Sequence, residues 1–98
     1  MQPTPLPQPV ELPEDGRLYQ HYRGDCFRIV SCALSSEDSA TWKVIYRSLS
    51  TGKVWERPLD KFTDEVRWPD GVHRDRYMQA AALPAALRAA VPVATEQE

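Results

Sequence analysis

Short stretches of alternating apolar and polar residues fill the middle of the chain, and turn-forming residues separate them. A period of two is typical of β-strands with one buried face, and Gly, Asp or Ser between such stretches indicates a tight turn. Arg-Gly-Asp at 23–25 and Ser-Thr-Gly at 50–52 each join two stretches, so the pattern predicts two hairpins. The predicted strands are residues 18–22, 26–33, 42–49, 54–57 and 65–68.

Proline and one apolar turn follow the fourth predicted strand. Pro58 cannot donate to a sheet ladder, so this strand ends there or lies at a sheet edge. Leu59 and Phe62 are three residues apart, which fits a single helical turn that closes one end of a barrel. Four or five short strands without βαβ spacing predict an all-β fold, a small twisted antiparallel barrel of the Src-homology-3-like class.

The N-terminal segment is rich in proline. Five of the nine prolines of the chain fall within its first thirteen residues, alternating with Gln, Thr, Leu and Val. Because proline fixes φ and lacks an N–H, this segment forms neither a helix nor a central strand. Residues 1–15 are therefore predicted to be a disordered arm with polyproline-II character, and recognition by a proline-binding groove is the functional alternative.

The C-terminal segment is rich in alanine. Leu83, Leu87 and Val91 are four residues apart, as on one face of a helix, and Pro84 interrupts that pattern. We predict a short C-terminal helix that docks on the domain or frays, with self-association of its leucine face as the alternative. The predicted organisation is a disordered arm over residues 1–15, a small β-barrel domain over 16–76 and an alanine-rich helical tail over 77–98.

Charge is nearly balanced over the whole chain. Its 98 residues carry 12 Lys and Arg and 14 Asp and Glu, a net charge of −2, so composition gives no argument for a general nucleic-acid or polyanion binder. No apolar run approaches the roughly 18 residues that span a bilayer, and the N-terminus lacks the pattern of a secretory signal. We therefore expect a soluble, cytoplasmic protein that does not bind membranes.

The chain has two cysteines and two histidines. Cys26 and Cys32 fall on one predicted strand, where six residues separate them by roughly 20 Å, too far for a disulfide. Two free thiols fit a reducing compartment. Together with His21 and His73 they lack the CxxC or HxxxH spacing of a zinc site, so no metal is predicted.

Known catalytic motifs are scarce. The sequence has no glycine-rich phosphate loop, no serine-centred elbow and no pair of carboxylates in a cleft-forming pattern. Cys26 and His21 flank one turn, but a hairpin pair that faces solvent lacks an oxyanion site and an orienting third group. We predict a protein that is not an enzyme, without catalytic residues or cofactor, and keep a small Cys/His enzyme as an alternative.

The nine aromatic residues exceed what a small barrel core needs. The predicted core consists of Phe27, Ile29, Val44, Tyr46, Trp55, Leu59, Phe62 and Val66. Other rings are interleaved with arginines, a combination that stacks on bases or grips a peptide. The alternative is that these rings cover the open ends of the barrel and hold the arginines by cation–π contact. This aromatic–Arg face comprises Tyr19, His21, Tyr22, Trp42, Trp68, Arg23, Arg47, Arg57 and Arg67.

Three blocks of residues carry a family resemblance. They are Tyr-x-His-Tyr-Arg-Gly at 19–24 with Phe-Arg-Ile-Val at 27–30, Val-Ile-Tyr-Arg-Ser-Leu at 44–49, and Trp-Glu-Arg-Pro-Leu-Asp-Lys-Phe at 55–62. In this order they resemble the bacterial domain of unknown function family numbered 1653. The resemblance covers roughly residues 16–66 and leaves out the proline arm and the alanine tail.

The resemblance implies a small stand-alone β domain with no assigned activity and supplies no substrate. The family has His-Ser/Thr-Glu in its first long loop, where residues 35–37 here are Ser-Ser-Glu, so this chain lacks that histidine. Arg57 also has a structural alternative, in which it pairs with Asp60 or Glu37 and pins a loop. The positions of interest that match the family pattern are His21, Tyr46, Trp55 and Arg57.

These patterns together predict a noncatalytic binding module whose aromatic–Arg face takes a protein segment or single-stranded nucleic acid. We expect a monomer or weak homodimer. The alternative function is an assembly protein that dimerises through its C-terminal helix. The candidate ligand-binding residues are Tyr19, His21, Trp42, Tyr46, Arg47, Trp55 and Arg57.

Overall fold

The computed structural model describes residues 11–89, which form a mostly β fold with little helix. The elements are β1 Leu18–His21, β2 Cys26–Leu34, β3 Trp42–Ser48, β4 Val54–Pro58, α1 Leu59–Phe62, β5 Glu65–Arg67, β6 His73–Asp75 and β7 Tyr77–Gln79, with 3₁₀ turns at Ala80–Ala82 and Ala85–Leu87. Five strands form an antiparallel sheet in the order β4-β3-β2-β1-β7, and β5 pairs with β6 in a separate hairpin.

Both predicted hairpins are present. β1 pairs with β2 and β3 pairs with β4, and the connecting turns contain the Arg-Gly-Asp and Ser-Thr-Gly triplets. Gly24 and Gly52 have φ angles of 110° and 78°, a left-handed backbone that glycine adopts without a Cβ clash. β4 is an edge strand, in agreement with Pro58, and α1 is the predicted single helical turn.

One extra residue in β2 keeps its apolar side chains on the buried face. The register of β2 against β3 shifts at Val30, which forms a β-bulge and is 43% exposed. Ile29 lies opposite Tyr46 before the bulge, and Cys32 lies opposite Val44 after it. Without the bulge, a strict period of two would place a serine at the next inward position.

The main core lies on the inner face of the sheet, where α1 contributes a phenylalanine. Phe62 is fully buried and stacks parallel to Tyr77, with ring centroids 4.2 Å apart. Five of the six residues of this cluster are predicted core residues, and Tyr77 is the addition. The buried cluster consists of Phe27, Ile29, Val44, Tyr46, Phe62 and Tyr77.

Three predictions about burial are wrong. Trp55 is 51% exposed because β4 lies at the edge of the sheet. Val66 is only partly buried because it belongs to the separate β5–β6 hairpin. Trp68, predicted to lie outside the core, is 2% exposed, and its Nε1 donates to the Asp75 carbonyl at 2.9 Å. Burial of an aromatic side chain depends on strand order, which alternation alone does not encode.

The two outer strands of the sheet, β4 and β7, do not pair with each other within residues 11–89. The structure therefore has an open antiparallel sheet with an added hairpin, and no closed barrel is found in this part of the chain. No helix in the same range is long and apolar enough to cross a membrane.

The C-terminal segment forms a strand and two 3₁₀ turns up to Ala89, in place of the predicted short helix. β7 pairs with β1, so the sheet continues three residues past the predicted boundary at position 76. Gln20 is buried and holds the segment beyond Pro84. Its Nε2 donates to the Leu87 carbonyl at 2.7 Å, and Ala89 N donates to its Oε1 at 2.9 Å. Positions 90–98 of the predicted tail lie outside the described residues.

Most of the predicted N-terminal arm, positions 1–10, also lies outside the described residues. Its last five residues run against the domain. Pro13 is buried, and its carbonyl accepts a hydrogen bond from Cys32 Sγ at 3.6 Å. Gly16 N donates to the Ile29 carbonyl at 2.8 Å, which ties the end of this segment to β2.

Candidate functional site

An open pocket of about 380 Å³ lies on the inner face of the sheet beside β4. Phe27, Tyr46 and Tyr77 line it from the core, and Trp55 and Arg57 line it from the edge strand. The register places Tyr46 directly opposite Trp55, and Arg57 follows two residues later on the same face. Aromatic rings and a guanidinium group therefore share one cavity.

Arg57 contacts two tyrosines of the core. Its Nε donates to Tyr46 Oη at 3.2 Å, and Tyr46 Oη lies 3.2 Å from Tyr77 Oη. The Cζ of Arg57 is 5.7 Å from the centroid of the Tyr77 ring. The hydrogen bond to Tyr46 raises the pKa of Arg57, and burial raises the pKa of Tyr77. The pocket therefore contains a permanent positive charge beside two phenol hydroxyls.

Arg57 forms no ion pair with a carboxylate anywhere in residues 11–89. Its predicted pairing with Asp60 or Glu37 is not found there. Other cations in that range do have acidic partners: Arg17 with Glu14, Lys43 with Glu56, Arg74 with Asp70 and Arg76 with Asp64. The direct contacts of this partly buried arginine are with the Tyr46 hydroxyl and the Tyr77 ring.

The turn between β3 and β4 contributes polar groups to the pocket. Ser48 Oγ lies 3.1 Å from Ser50 Oγ and accepts a hydrogen bond from Thr51 N at 3.1 Å. Lys53 adds a second cation to the lining, and Asp25 adds a carboxylate from the β1–β2 turn. The pocket is therefore lined by polar and cationic groups on one side and by aromatic rings at its base, and its lining includes one acidic group.

Three of the seven predicted binding residues line this pocket, namely Tyr46, Trp55 and Arg57. Arg47 follows Tyr46 directly in β3, so its side chain is exposed on the opposite face of the sheet. Trp42 begins β3, four residues before Tyr46, and does not line the pocket. The predicted aromatic–Arg face is therefore divided between two faces and two ends of the sheet.

The other two predicted residues, Tyr19 and His21, lie on β1. The Tyr19 ring packs against Phe62, with centroids 5.6 Å apart. The His21 ring meets Tyr77 edge-on at 4.9 Å and lies 4.6 Å from Tyr22. Both side chains support the aromatic cluster behind the pocket and do not line the pocket itself.

Sequence reasoning missed Tyr77, Ser48, Lys53 and Asp25 as pocket residues. Tyr77 belongs to a strand of three residues that joins the sheet only through long-range pairing with β1. No local signal marked this strand, because Tyr77 and Met78 are both apolar and the segment does not alternate. Ser48 could have been found because its position shares the parity of Tyr46 in β3.

The predicted Cys/His pair has the charge states opposite to those of an activated pair. Burial raises the pKa of the Cys26 thiol, whose Sγ lies 3.8 Å from the Gly24 carbonyl. Burial and the nearby Arg76 lower the pKa of His21, and its Nδ1 accepts a hydrogen bond from Arg23 N at 3.1 Å. Both groups are thus favoured in their neutral forms. No cluster of His, Cys, Asp or Glu suited to a metal ion occurs among the described residues.

A separate ion pair holds the segment that contains Tyr77. Arg76 Nε and Nη2 donate to the two carboxylate oxygens of Asp64, each at 2.8 Å. The hydrogen bonds from Arg76 lower the pKa of Asp64. Arg76 Cζ also lies 5.7 Å from the Tyr22 ring centroid. This contact links the start of β7 to the loop before β5 and thereby fixes Tyr77 at the base of the pocket.

The fold and the pocket define a small β domain with an aromatic and cationic cavity beside an edge strand. The chain belongs to the family described as protein of unknown function (DUF1653), whose sequence profile matches residues 17–79. The predicted resemblance is thus confirmed, and the match extends beyond position 66 to the end of β7. No curated protein and no solved structure matches the chain.

Proposed function

We propose that the protein is a noncatalytic binding module that takes an extended protein segment along β4, with side chains of that segment entering the adjacent pocket. The observation that carries this proposal is the meeting of Tyr46, Trp55 and Arg57 in one open cavity at the sheet edge. Edge strands bind extended peptides by main-chain hydrogen bonds, and pockets beside them select alternate side chains.

The hydrogen-bond pattern of β4 indicates which backbone groups are available. Ser48 N donates to the Lys53 carbonyl at 2.8 Å, and antiparallel ladders alternate between bonded and non-bonded pairs. The backbone groups of Trp55 and Arg57 therefore point toward β3. Those of Val54 and Glu56 point outward, where no strand of the described range pairs with them. A proline at 58 fits this pattern because its position requires no donor toward β3.

The distribution of charge favours a protein segment over single-stranded nucleic acid. Nucleic-acid grooves place several unpaired cations along the phosphate backbone. Here only Arg57 and Lys53 are cations in the pocket lining, and Asp25 lies in the same cavity. Arg47 is on the opposite face. Binding of single-stranded nucleic acid is therefore tested as an alternative and is not the leading proposal.

The test is an amide-resolved NMR titration of the full chain. One arm adds a pool of blocked pentapeptides, Ac-Thr-X-Thr-X-Thr-NH₂ with X randomised, and the other adds mixed-sequence single-stranded oligonucleotides at low and moderate salt. We expect the peptide pool to shift the Val54 and Glu56 amides and the Trp55 indole. If only the oligonucleotides shift the signals of the pocket residues, and these shifts depend on salt, the partner is nucleic acid and not a protein segment. If the β4 signals do not shift in either arm, β4 and its pocket are not the binding site.

A matched pair of variants separates backbone recognition from charge. Glu56→Pro removes the outward N–H at the centre of β4, and Glu56→Gln keeps it. Both variants lose the 3.7 Å ion pair with Lys43 equally. We expect the proline variant to lose peptide binding and the glutamine variant to retain it. Equal binding by both variants would contradict strand addition at β4.

The two alternative functions have weaker support. Assembly through a C-terminal helix would use Leu83, but Leu83 is buried in its own domain and no such helix forms up to Ala89. Sedimentation of a chain that ends at Gln79 tests this alternative, since an unchanged mass excludes the segment as an interface. A Cys/His enzyme would use a Cys26 thiolate, which the raised pKa of that thiol disfavours.

The proposal includes finer expectations about fold and setting. A Src-homology-3-like barrel is compatible with five antiparallel strands and a packed hairpin, and it would require closure between the two outer strands. A bacterial, cytoplasmic setting is compatible with Cys26 and Cys32 as free thiols. A solution structure of the full chain tests the first expectation, and fractionation of the native host tests the second.

A further inference from the structure

We infer that the pocket selects a peptide carboxylate, and that the bound strand has an acidic residue at one position and an aromatic residue two positions later. This inference rests on the proposed peptide-binding function. It specifies the chemical class of the two side chains that enter the pocket and the order in which they occur.

The acidic position follows from the surroundings of Arg57. Its Nε is used by Tyr46, and no carboxylate of the described range reaches its terminal nitrogens. A guanidinium group presents paired N–H donors that match the two oxygens of a carboxylate. Burial makes such a charge costly without a counter-ion, and the phenols beside it offset this cost only in part. A ligand carboxylate would contact the guanidinium directly, which no carboxylate of the described range does.

The rest of the lining favours a single negative charge. Lys53 lies in the same cavity and adds to the attraction for an anion. Asp25 also lies in the cavity and repels additional negative charge. One carboxylate balances these groups better than a phosphate dianion or a polyphosphate chain.

The aromatic position follows from Trp55. Its ring is half exposed at the pocket edge, two residues before Arg57 and on the same face of β4. Two residues of a strand span roughly 7 Å, so an added strand presents its own i and i+2 side chains to these two groups. A ring on the ligand packs on the exposed indole by stacking or edge contact.

The order of the two side chains follows from strand direction. Every paired strand of this sheet in residues 11–89 is antiparallel to its neighbour, and antiparallel pairing is the more stable arrangement per residue. In an antiparallel ligand, the residue opposite Arg57 comes before the residue opposite Trp55. The recognised pattern is therefore acidic, any residue, aromatic.

The experiment measures the affinity of the full chain for three blocked peptides by calorimetry. The peptides are Ac-Thr-Asp-Thr-Tyr-Thr-NH₂, its Asn analogue, and the reversed Ac-Thr-Tyr-Thr-Asp-Thr-NH₂. We expect the Asn analogue to bind about ten- to a hundredfold more weakly, the range for loss of a charge-assisted hydrogen bond. We expect the reversed peptide to be weaker than the first as well. Because these changes are in the ligand, the result does not depend on the folding of a variant.

Protein variants assign the effect to one side chain. In Arg57→Gln, the Asp and Asn peptides should bind with equal affinity. Arg47→Gln removes the same charge from the opposite face of the neighbouring strand and should leave the preference for Asp intact. Inorganic phosphate added to the wild-type chain should compete poorly with the Asp peptide.

The outcomes separate this inference from the function on which it rests. Equal affinity of the Asp and Asn peptides at β4 would overturn the carboxylate preference while strand addition stands. Stronger binding of the reversed peptide would overturn the antiparallel order. Strong competition by phosphate would replace the carboxylate by a phosphate ligand. Absence of β4 shifts with every peptide, including the randomised pool, would overturn both the inference and the proposed function.

Discussion

Removal of the Tyr46 hydroxyl should destabilise the protein more than removal of the Tyr77 hydroxyl, although the two oxygens are only 3.2 Å apart. Tyr46→Phe removes two hydrogen bonds at once, because the same oxygen accepts from Arg57 Nε and pairs with Tyr77 Oη. It leaves both of those partners without their bond. Tyr77→Phe removes the bond between the two hydroxyls and a weaker contact of Tyr77 with Arg57, and it leaves Tyr46 still bonded to Arg57. The difference in stability loss arises because the Tyr46 hydroxyl lies between Arg57 and Tyr77 and contacts both.

The expected magnitudes follow from these counts. One net hydrogen bond contributes about 1 kcal/mol to stability. Arg57 is partly exposed, so water replaces some of its lost contact. We therefore expect Tyr46→Phe to lower the free energy of unfolding by about 2 kcal/mol and Tyr77→Phe to lower it by about 1 kcal/mol. In a domain of this size these losses correspond to decreases in Tm of roughly 8–16 °C and 4–8 °C.

The assay is urea unfolding at neutral pH, followed by circular dichroism, with thermal scans of the same samples. Tyr22→Phe is the matched control, because the Tyr22 hydroxyl accepts an exposed hydrogen bond from Arg23 at 3.2 Å and has no bond to Tyr46 or Tyr77. This control should remain within about 0.5 kcal/mol of the wild type. A Tyr77→Phe loss equal to or larger than the Tyr46→Phe loss would refute the central position of the Tyr46 hydroxyl. An unfolding free energy that neither substitution changes would refute it as well.

Two further predictions concern other parts of the fold. Because burial and Arg76 lower the folded-state pKa of His21, the unfolded chain binds a proton more readily, and stability should fall as the pH drops below about 6.5, the ordinary pKa of histidine. His21→Gln should reduce this dependence of the unfolding free energy on pH. An unchanged slope would mean that other groups cause the dependence. Gln20→Ala should speed hydrogen exchange of the Ala89 amide at least tenfold because its acceptor is gone, while β2 amides keep their protection. Gln79→Ala serves as the control for a lost glutamine, and equal exchange at Ala89 in all three chains would contradict the role of Gln20.

Local patterns predicted the strands and turns of this protein well. Alternation placed five strands, β1 to β5, to within one residue at each end, and the glycine turns defined two hairpins. These features depend on neighbours in sequence, so sequence carries them. Strand order depends on distant contacts. Trp55 was therefore predicted to be buried although it lies on an edge strand. Trp68 was predicted to lie outside the core although it is buried and its indole N–H donates to the Asp75 carbonyl.

The same distinction applies to the C-terminal segment and to the pocket. Alanine favours helix, but Pro84 and the pairing of β7 with β1 override that preference. Within the predicted site, Arg47 and Tyr46 are adjacent in β3, so the alternation of side chains along a strand already places them on opposite faces. Grouping them by residue type ignored this alternation. Arg57 and Trp55 satisfy parity and do share the pocket. Tyr77 completes the pocket from a strand that no local pattern predicts.

The three-residue strand β7 also determines when the sheet is complete during synthesis. Tyr19 pairs with Gln79, which the ribosome adds sixty residues later, and Phe62 likewise has no stacking partner until Tyr77 is made. Until then β1 is an exposed edge, a surface on which another nascent chain can add a strand. Contacts between residues so far apart in sequence also slow folding. A chain that ends at Arg76 lacks β7, so light scattering should show that it aggregates more strongly than the full chain.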